Sequence, residues 1–332
     1  MRGFSLSLQA VALAAVALLV VVPAQAQMKK QIKLAHSSQA SADSELHSAA
    51  TVFEQEIAKT APTLEVKIYA ANALGQERDV YEAMQLGSGA SCAISGTAIL
   101  TNFNKRLGVL DLPFMWRDYR HVHQVLDGPV GNTLAKELQG NGFMVVAWMD
   151  SWGYRNVITA KKAVSKPDDI KGLKIRTIPT PIYVAALNAM GANATPMAFG
   201  EVYNAMQTGV LDGFEHSAAM TYANKFYEVA KYGALTRHLF GPIAFACSMK
   251  EWQKFSPDEQ KAILAAAAKA RENNRELAPV KEKEALDALK AKGMTFAEVD
   301  TTGFRQASLK VQDDLAKERG ATDLLELIRT TR

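Results

Sequence analysis

Two arginines and an adjacent acid–imidazole pair fall where an α/β chain places its ligands. Arg155 opens a strand after "SWGY", and Arg176 closes the strand "LKIRTI". Glu215 and His216 end a third strand, "VLDGFEH". In open α/β sheets, ligands bind beyond the carboxyl ends of the strands, beside helix starts. The helix after Arg176 begins at Thr180, a capping residue, with Pro181 in its first turn. It therefore offers unpaired N–H groups and a positive dipole end. Two guanidiniums and a helix start on one cleft specify an anion, best a planar carboxylate held at two points. A single arginine at a strand end is more often a structural ion pair, since unpaired charge is seldom buried. The second arginine and the Glu-His pair favour a ligand.

Other chemistries find little support. No G-x-S-x-G, H-E-x-x-H or Walker loop occurs. His121 and His123 in "HVH" lie in a helical run, where positions i and i+2 diverge, and no matched partners accompany them, so no metal site is expected. Glu215 and His216 make a poor acid–base pair, because neighbouring strand residues point to opposite faces. A secreted hydrolase is the rival reading, and it lacks its nucleophile. No catalytic residue and no cofactor are expected.

The elements that position these residues alternate. "IKLAH" and "LEVKIY" flank a helix with apolar residues at Leu46, Ala49, Ala50, Phe53 and Ile57. "QERDVYEAMQLG" is a helix stopped by Gly87, and "SCAIS" is a third strand. This alternation predicts a parallel sheet with helices on both faces. A second β-α-β unit begins near Ser151, running through "RNVITA", "LKIRTI", the helix to Met190, "EVYNAMQTG" and "VLDGFEH". Further on, Ser256 and Pro257 start a long helix that Pro279 should kink or end. "MTFAEV" and a charged helix follow. The expected fold class is α/β, two domains joined by crossing strands that make a hinge and an interdomain cleft.

Residues 1–26 combine Arg2, the apolar run "AVALAAVALLVVV" and an A-x-A ending at Ala26. That pattern is a secretory leader, with cleavage expected after Ala26. About 300 further residues exceed one ordinary core and predict two domains. The chain is 48% hydrophobic and 22% charged, with net charge +4 and scattered basic residues. That distribution argues against nucleic acid and is compatible with an anionic small ligand. Cys92 and Cys247 are the only cysteines, both in apolar strand-like runs. In an exported protein they form either a disulfide or two buried thiols.

"GLKIRTIPTPIYVAALNAMGANATPMAFGEVYNAMQTGVLDG" resembles the signature of the DctP-type periplasmic solute receptors of TRAP transporters. "LGQERDVYEAMQLG", "LPFMWRDYRHVHQVLDG" and "GYRNVITAKKAV" are similar to the family's other segments, in the same order. The resemblance spans nearly the whole chain after the leader. It implies a periplasmic binding protein fold, with residues 27–152 plus 240–280 as domain I and 153–239 plus 281–332 as domain II. It also implies a receptor that hands a small carboxylate to membrane permease subunits, and a monomer is expected. Arg176 matches the family arginine that pairs with the substrate carboxylate, and Arg155 matches the one that assists. His216 stands where many members carry a ligand-facing asparagine, and Glu215 matches a common glutamate. "AHSSQASADSEL" resembles a cleft loop, which makes Asp43, Glu45 and His47 candidates, with Glu77 of "LGQERD" another. Glu215 and His216 are suited to read hydroxyl groups. The expected ligand is therefore a uronate or aldonate, with a C4-dicarboxylate or 2-oxo/hydroxy acid as the alternative.

Overall fold

The structure, a computed structural model, describes residues 29–332; the leader lies outside them. Strands β1 (Lys30–Ala35), β2 (Leu64–Tyr69), β3 (Cys92–Gly96), β4 (Phe143–Met149) and β10 (Ile243–Ser248) form one sheet, in the order β2-β1-β3-β10-β4. Strands β5 (Arg155–Thr159), β6 (Lys174–Thr177), β7 (Asn193–Pro196), β8 (Gly213–His216), β9 (Tyr232–Leu239) and β11 (Thr295–Glu298) form the other, in the order β11-β9-β5-β8-β6-β7. The two sheets centre two α/β domains.

Neither sheet is purely parallel, contrary to the alternation rule. In the first, β10 runs antiparallel to β3 and β4; in the second, β5 runs antiparallel to β8 and β9. Both reversed strands are delivered by a crossing between domains: residues 150–154 lead from β4 to β5, and residues 240–242 lead from β9 to β10. A strand arriving from the opposite domain enters at the cleft end and runs away from it. Arg155, at the start of β5, therefore meets Arg176 and His216, at the ends of β6 and β8.

A third connection is the Pro257–Ala291 helix. It opens with the capping box of Ser256 and Glu259 and passes through Pro279 without ending. Its early residues Ile263, Ala267 and Ala270 pack in the first domain, and Ala278, Ala285 and Leu289 in the second. Burial on both sides outweighs the one backbone bond that proline forfeits. Buried Asn274 clamps the first crossing to this helix. It accepts from Asp150 N (2.8 Å), donates to Asp150 O (3.1 Å), and its carbonyl accepts from Trp152 Nε1 (3.0 Å).

The C-terminal part of the sequence-based domain division differs in space. Phe304 sits in the second domain with Ile170 and Ile175, but the Thr322–Thr330 helix packs on the first. Its Leu324, Leu325 and Ile328 join Leu134 and Leu138, and Asp323 pairs with Arg106 at 2.7 Å. An amphipathic helix buries its apolar stripe against whichever domain leaves a matching face, which chain order does not encode.

Cys92 and Cys247 form a disulfide between register partners on β3 and β10. It ties strands 155 positions apart in the chain. Replacing both cysteines with alanine should cost about 2–4 kcal/mol, chiefly by freeing the unfolded chain. Denaturant midpoints of the two forms check this, and coincident midpoints would contradict it.

Candidate functional site

A cavity lies between the domains, lined by residues of both. The first domain lines it with Ser37, Glu45, Leu46, Glu77 and Ile99. The second contributes Arg155, Arg176, Ile178, Phe199, His216 and Met220, and the crossings add Ser151 and Gly241. The rim is closed by hydrogen bonds across the mouth. Asn224 Oδ1 accepts from Gln39 N (3.2 Å), and its Nδ2 donates to Ser38 Oγ (3.2 Å).

Arg176 is 2% exposed, yet among the described residues it forms no ion pair. Its Nε and Nη2 donate to Met197 O at 2.9 and 2.6 Å, and its guanidinium lies 5.7 Å from the Phe199 ring centre. Nη1 makes no hydrogen bond to the protein. Burial, reinforced by the charge of Arg155, lowers its pKa to about 10 despite the attraction of Glu215 and Glu77. It is a buried cation held in place by neutral partners.

Arg155 is treated differently. Its Nε and Nη2 grip both oxygens of Glu215, the Nη2 bond to Oε1 being 2.8 Å, and Nη2 also donates to Glu215 O at 2.9 Å. The Tyr183 ring lies 5.2 Å beneath the guanidinium, and the Tyr183 hydroxyl donates to Asp111 at 3.1 Å. Only Nη1 is left toward the cavity, 3.4 Å from His216 Nε2. His216 Nδ1 accepts from Ser217 N at 2.9 Å, so the neutral ring carries its proton on Nε2. Burial and then Arg155 keep that ring far below its usual pKa. Arg155 Nη1 and His216 Nε2 are thus two donors side by side, and both need one external acceptor. Gly241 makes room beside them. Its φ of +64° excludes ordinary side chains, and a Cβ there would lie 3.0 Å from Tyr183 Oη.

The structure separates the sequence candidates. Arg176, Arg155, His216, Glu77 and Glu45 share the cavity. Glu215 does not line it. It is fully buried, holding Arg155 and accepting from Thr177 Oγ1 at 3.0 Å, with His238 Nε2 at 3.6 Å. The expectation that Glu215 reads ligand hydroxyls gives way to a positioning role, because strand alternation turns it away from the side that His216 faces. Asp43 also lies off the cavity wall, paired with Lys281 at 3.4 Å. His47 Nδ1 faces His36 Nε2 at 3.1 Å instead of the cavity. The Thr180 helix start is likewise absent from the lining, and its helix contributes Tyr183 as the floor under Arg155. Ser37, Ser151 and Phe199 were not anticipated. Ser37 and Ser151 closely follow β1 and β4, so the strand-end rule applied to the first domain would have found them.

Five of the six histidines, His36, His47, His121, His216 and His238, are held below their ordinary pKa, with burial the leading cause. Unfolding lets each bind a proton below about pH 6.5, so stability falls on acidification. Burial pushes Glu45 and Asp111 up to about 7 and also raises Glu77 and Asp150, and these four act in the opposite sense. The histidines outnumber them. Urea unfolding should show lower stability at pH 5 than at pH 7, and a flat or rising trend would contradict this.

A model of the DctP family, bacterial extracellular solute-binding protein family 7, matches residues 36–319. Over 274 residues the chain is 32% identical to the 2,3-diketo-L-gulonate-binding periplasmic protein YiaO of Escherichia coli K12, covering 81% of this chain and 83% of that one. It matches a TRAP periplasmic solute binding protein from Polaromonas sp. JS666 bound to D-erythronate, with a TM-score of 0.87 and 31% identity, covering 92% of this chain and 99% of that one. A TRAP periplasmic solute binding protein from Citrobacter koseri with bound D-glucuronate gives a TM-score of 0.84 and 31% identity, covering 91% and 100%. On the family match over most of its length and on these relatives, the chain belongs to the DctP family of bacterial extracellular solute-binding proteins and is a TRAP-type solute-binding receptor.

Proposed function

We propose that this receptor captures a monoanionic sugar acid, a uronate or aldonate, and delivers it to TRAP permease subunits in the membrane after export and removal of a leader near Ala26. The observation that carries the reading is Arg176, a buried cation with no ion-pair partner among the described residues. Arg155 is already balanced by Glu215, so the cleft has one uncommitted positive charge and calls for one carboxylate. Arg176 Nη1, Arg155 Nη1 and His216 Nε2 supply its donors. Each such charge-assisted bond contributes roughly 1.5–3 kcal/mol, and three of them approach the ~8 kcal/mol of micromolar binding. Glu45, Glu77, Ser37 and Ser151 face the rest of the ligand as hydroxyl partners, while Phe199 and Ile99 pack its carbon skeleton. A second carboxylate would approach Glu77 with no second free arginine to balance it. The sugar acids held by the structural relatives fit the same demand.

A thermal-shift screen tests this. A ligand at ~100 times its Kd adds about 2.7 kcal/mol, and a chain of this size should shift by roughly 2 °C or more per kcal/mol. D-glucuronate, D-galacturonate and D-erythronate should raise the midpoint by several degrees, with succinate and malate inert. A shift by the dicarboxylates alone would overturn the proposal.

A further inference from the structure

Glu45 and Glu215 are two buried carboxyls near the same arginines, and the fold treats them oppositely. Glu215 has donors on both oxygens, whereas Glu45 Oε2 has no hydrogen-bond partner among the described residues. Glu45 is 2% exposed, lines the cavity, and forms no ion pair among the described residues. It is the first residue of the Glu45–Thr60 helix, whose cap Ser44 accepts from His47 N at 3.3 Å. From that helix start the residue lines the cavity, as Ser37 and Leu46 do.

A carboxyl in this position either accepts from a donor as an anion or donates as a neutral acid. The ligand brings its own negative charge into the same enclosed space, and two anions there disfavour each other. We infer that Glu45 is a specificity-determining residue, held as the neutral acid in the complex and donating its proton to a ligand oxygen, so that capture of the anion takes up a proton. This rests on the sugar-acid reading above.

The other titratable groups facing the cavity leave Glu45 as the responder. Arg155 on β5 is bound to Glu215, and Arg176 on β6 stays charged at neutral pH. His216 on β8 stays neutral, and His47 on the same helix faces His36. Glu77, from the Glu77–Leu86 helix, is raised by burial but is partly offset by Arg176 and Ser37. Burial brings Glu45 to about 7, offset in part by its own backbone N–H and by Arg155. Ligand affinity is then constant below that pH and falls as pH rises through it, about tenfold per unit once Glu45 must be reprotonated to bind.

The experiment is calorimetric titration with D-glucuronate, D-galacturonate and D-erythronate between pH 6 and 8.5, in buffers of different ionisation heat. Wild type should take up close to one proton per ligand at pH 8, with Kd about fivefold weaker at pH 8 than at pH 7. Glu45→Gln should show no uptake and a flat profile, because its amide donates without titrating. Glu77→Gln should keep the uptake. Wild-type binding without proton uptake, or uptake retained in Glu45→Gln, overturns the inference and leaves the sugar-acid reading standing. Failure of all three acids to bind at pH 6 overturns both.

Discussion

Arg176→Met should abolish measurable capture of D-glucuronate while leaving the unliganded protein about as stable as wild type. The two halves share one cause. Arg176 is buried without an anion, and burial lowers its pKa to about 10, so the free protein bears the desolvation of that charge. Methionine keeps much of the side-chain volume and the contact with Phe199. It forfeits only the hydrogen bonds to Met197 O, a change within about 1 kcal/mol. The ligand loses its principal cation, which should weaken binding by about 3–5 kcal/mol, or ~10²–10⁴-fold. Arg176→Lys should recover part of this, because it keeps the charge but not the planar fork. Calorimetry and denaturant unfolding of each variant decide the matter. Undiminished affinity, or a free protein destabilised by several kcal/mol, would mean that Arg176 is structural.

Glu215→Ala should show the reverse pattern, a loss of fold stability first and of binding second. Removing one partner of a buried ion pair typically costs about 3–5 kcal/mol, because the other charge stays buried and uncompensated. Here Arg155 would lose both fork contacts, and Thr177 Oγ1 would lose its acceptor. The midpoint should drop by roughly 6–10 °C at ~2 °C per kcal/mol. Burial pushes the Glu215 pKa up, but Arg155 and His238 outweigh it and hold the carboxyl well below the usual range. Its contribution is therefore present above the ordinary glutamate value and lost as pH falls through the folded one. Thermal unfolding at pH 7 checks the prediction. A midpoint within a degree of wild type would show that the pair contributes nothing to the fold.

The two variants also mark where residue order stops being informative. Arg155 and Arg176 were legible as strand-end cations, because hydrophobic runs locate strands and ligands gather at strand ends. Their difference in role was not, since it depends on which carboxylate reaches which arginine. Glu215 and His216 are neighbours in sequence, yet one supports Arg155 from behind and the other shares the cavity with it. Alternation predicts that they separate, but not which of them faces the ligand. The purely parallel sheet failed for a topological reason. β5 and β10 are fed from the opposite domain, and a local pattern of apolar residues carries no direction.

By itself the sequence determined the residue chemistry and the local elements: two arginines at strand ends, alternating strands and helices, an apolar run near the start, and motifs shared with a solute-receptor family. Only the tertiary structure decided that Arg155 is neutralised, that Arg176 has no ion-pair partner among the described residues, that Glu45 lines the cavity while Asp43 and His47 do not, and that the last helix packs on the first domain. The reason is physical. Periodicity and capping are encoded within a few residues, whereas charge pairing and burial arise between residues far apart, such as the 60 positions separating Arg155 from Glu215.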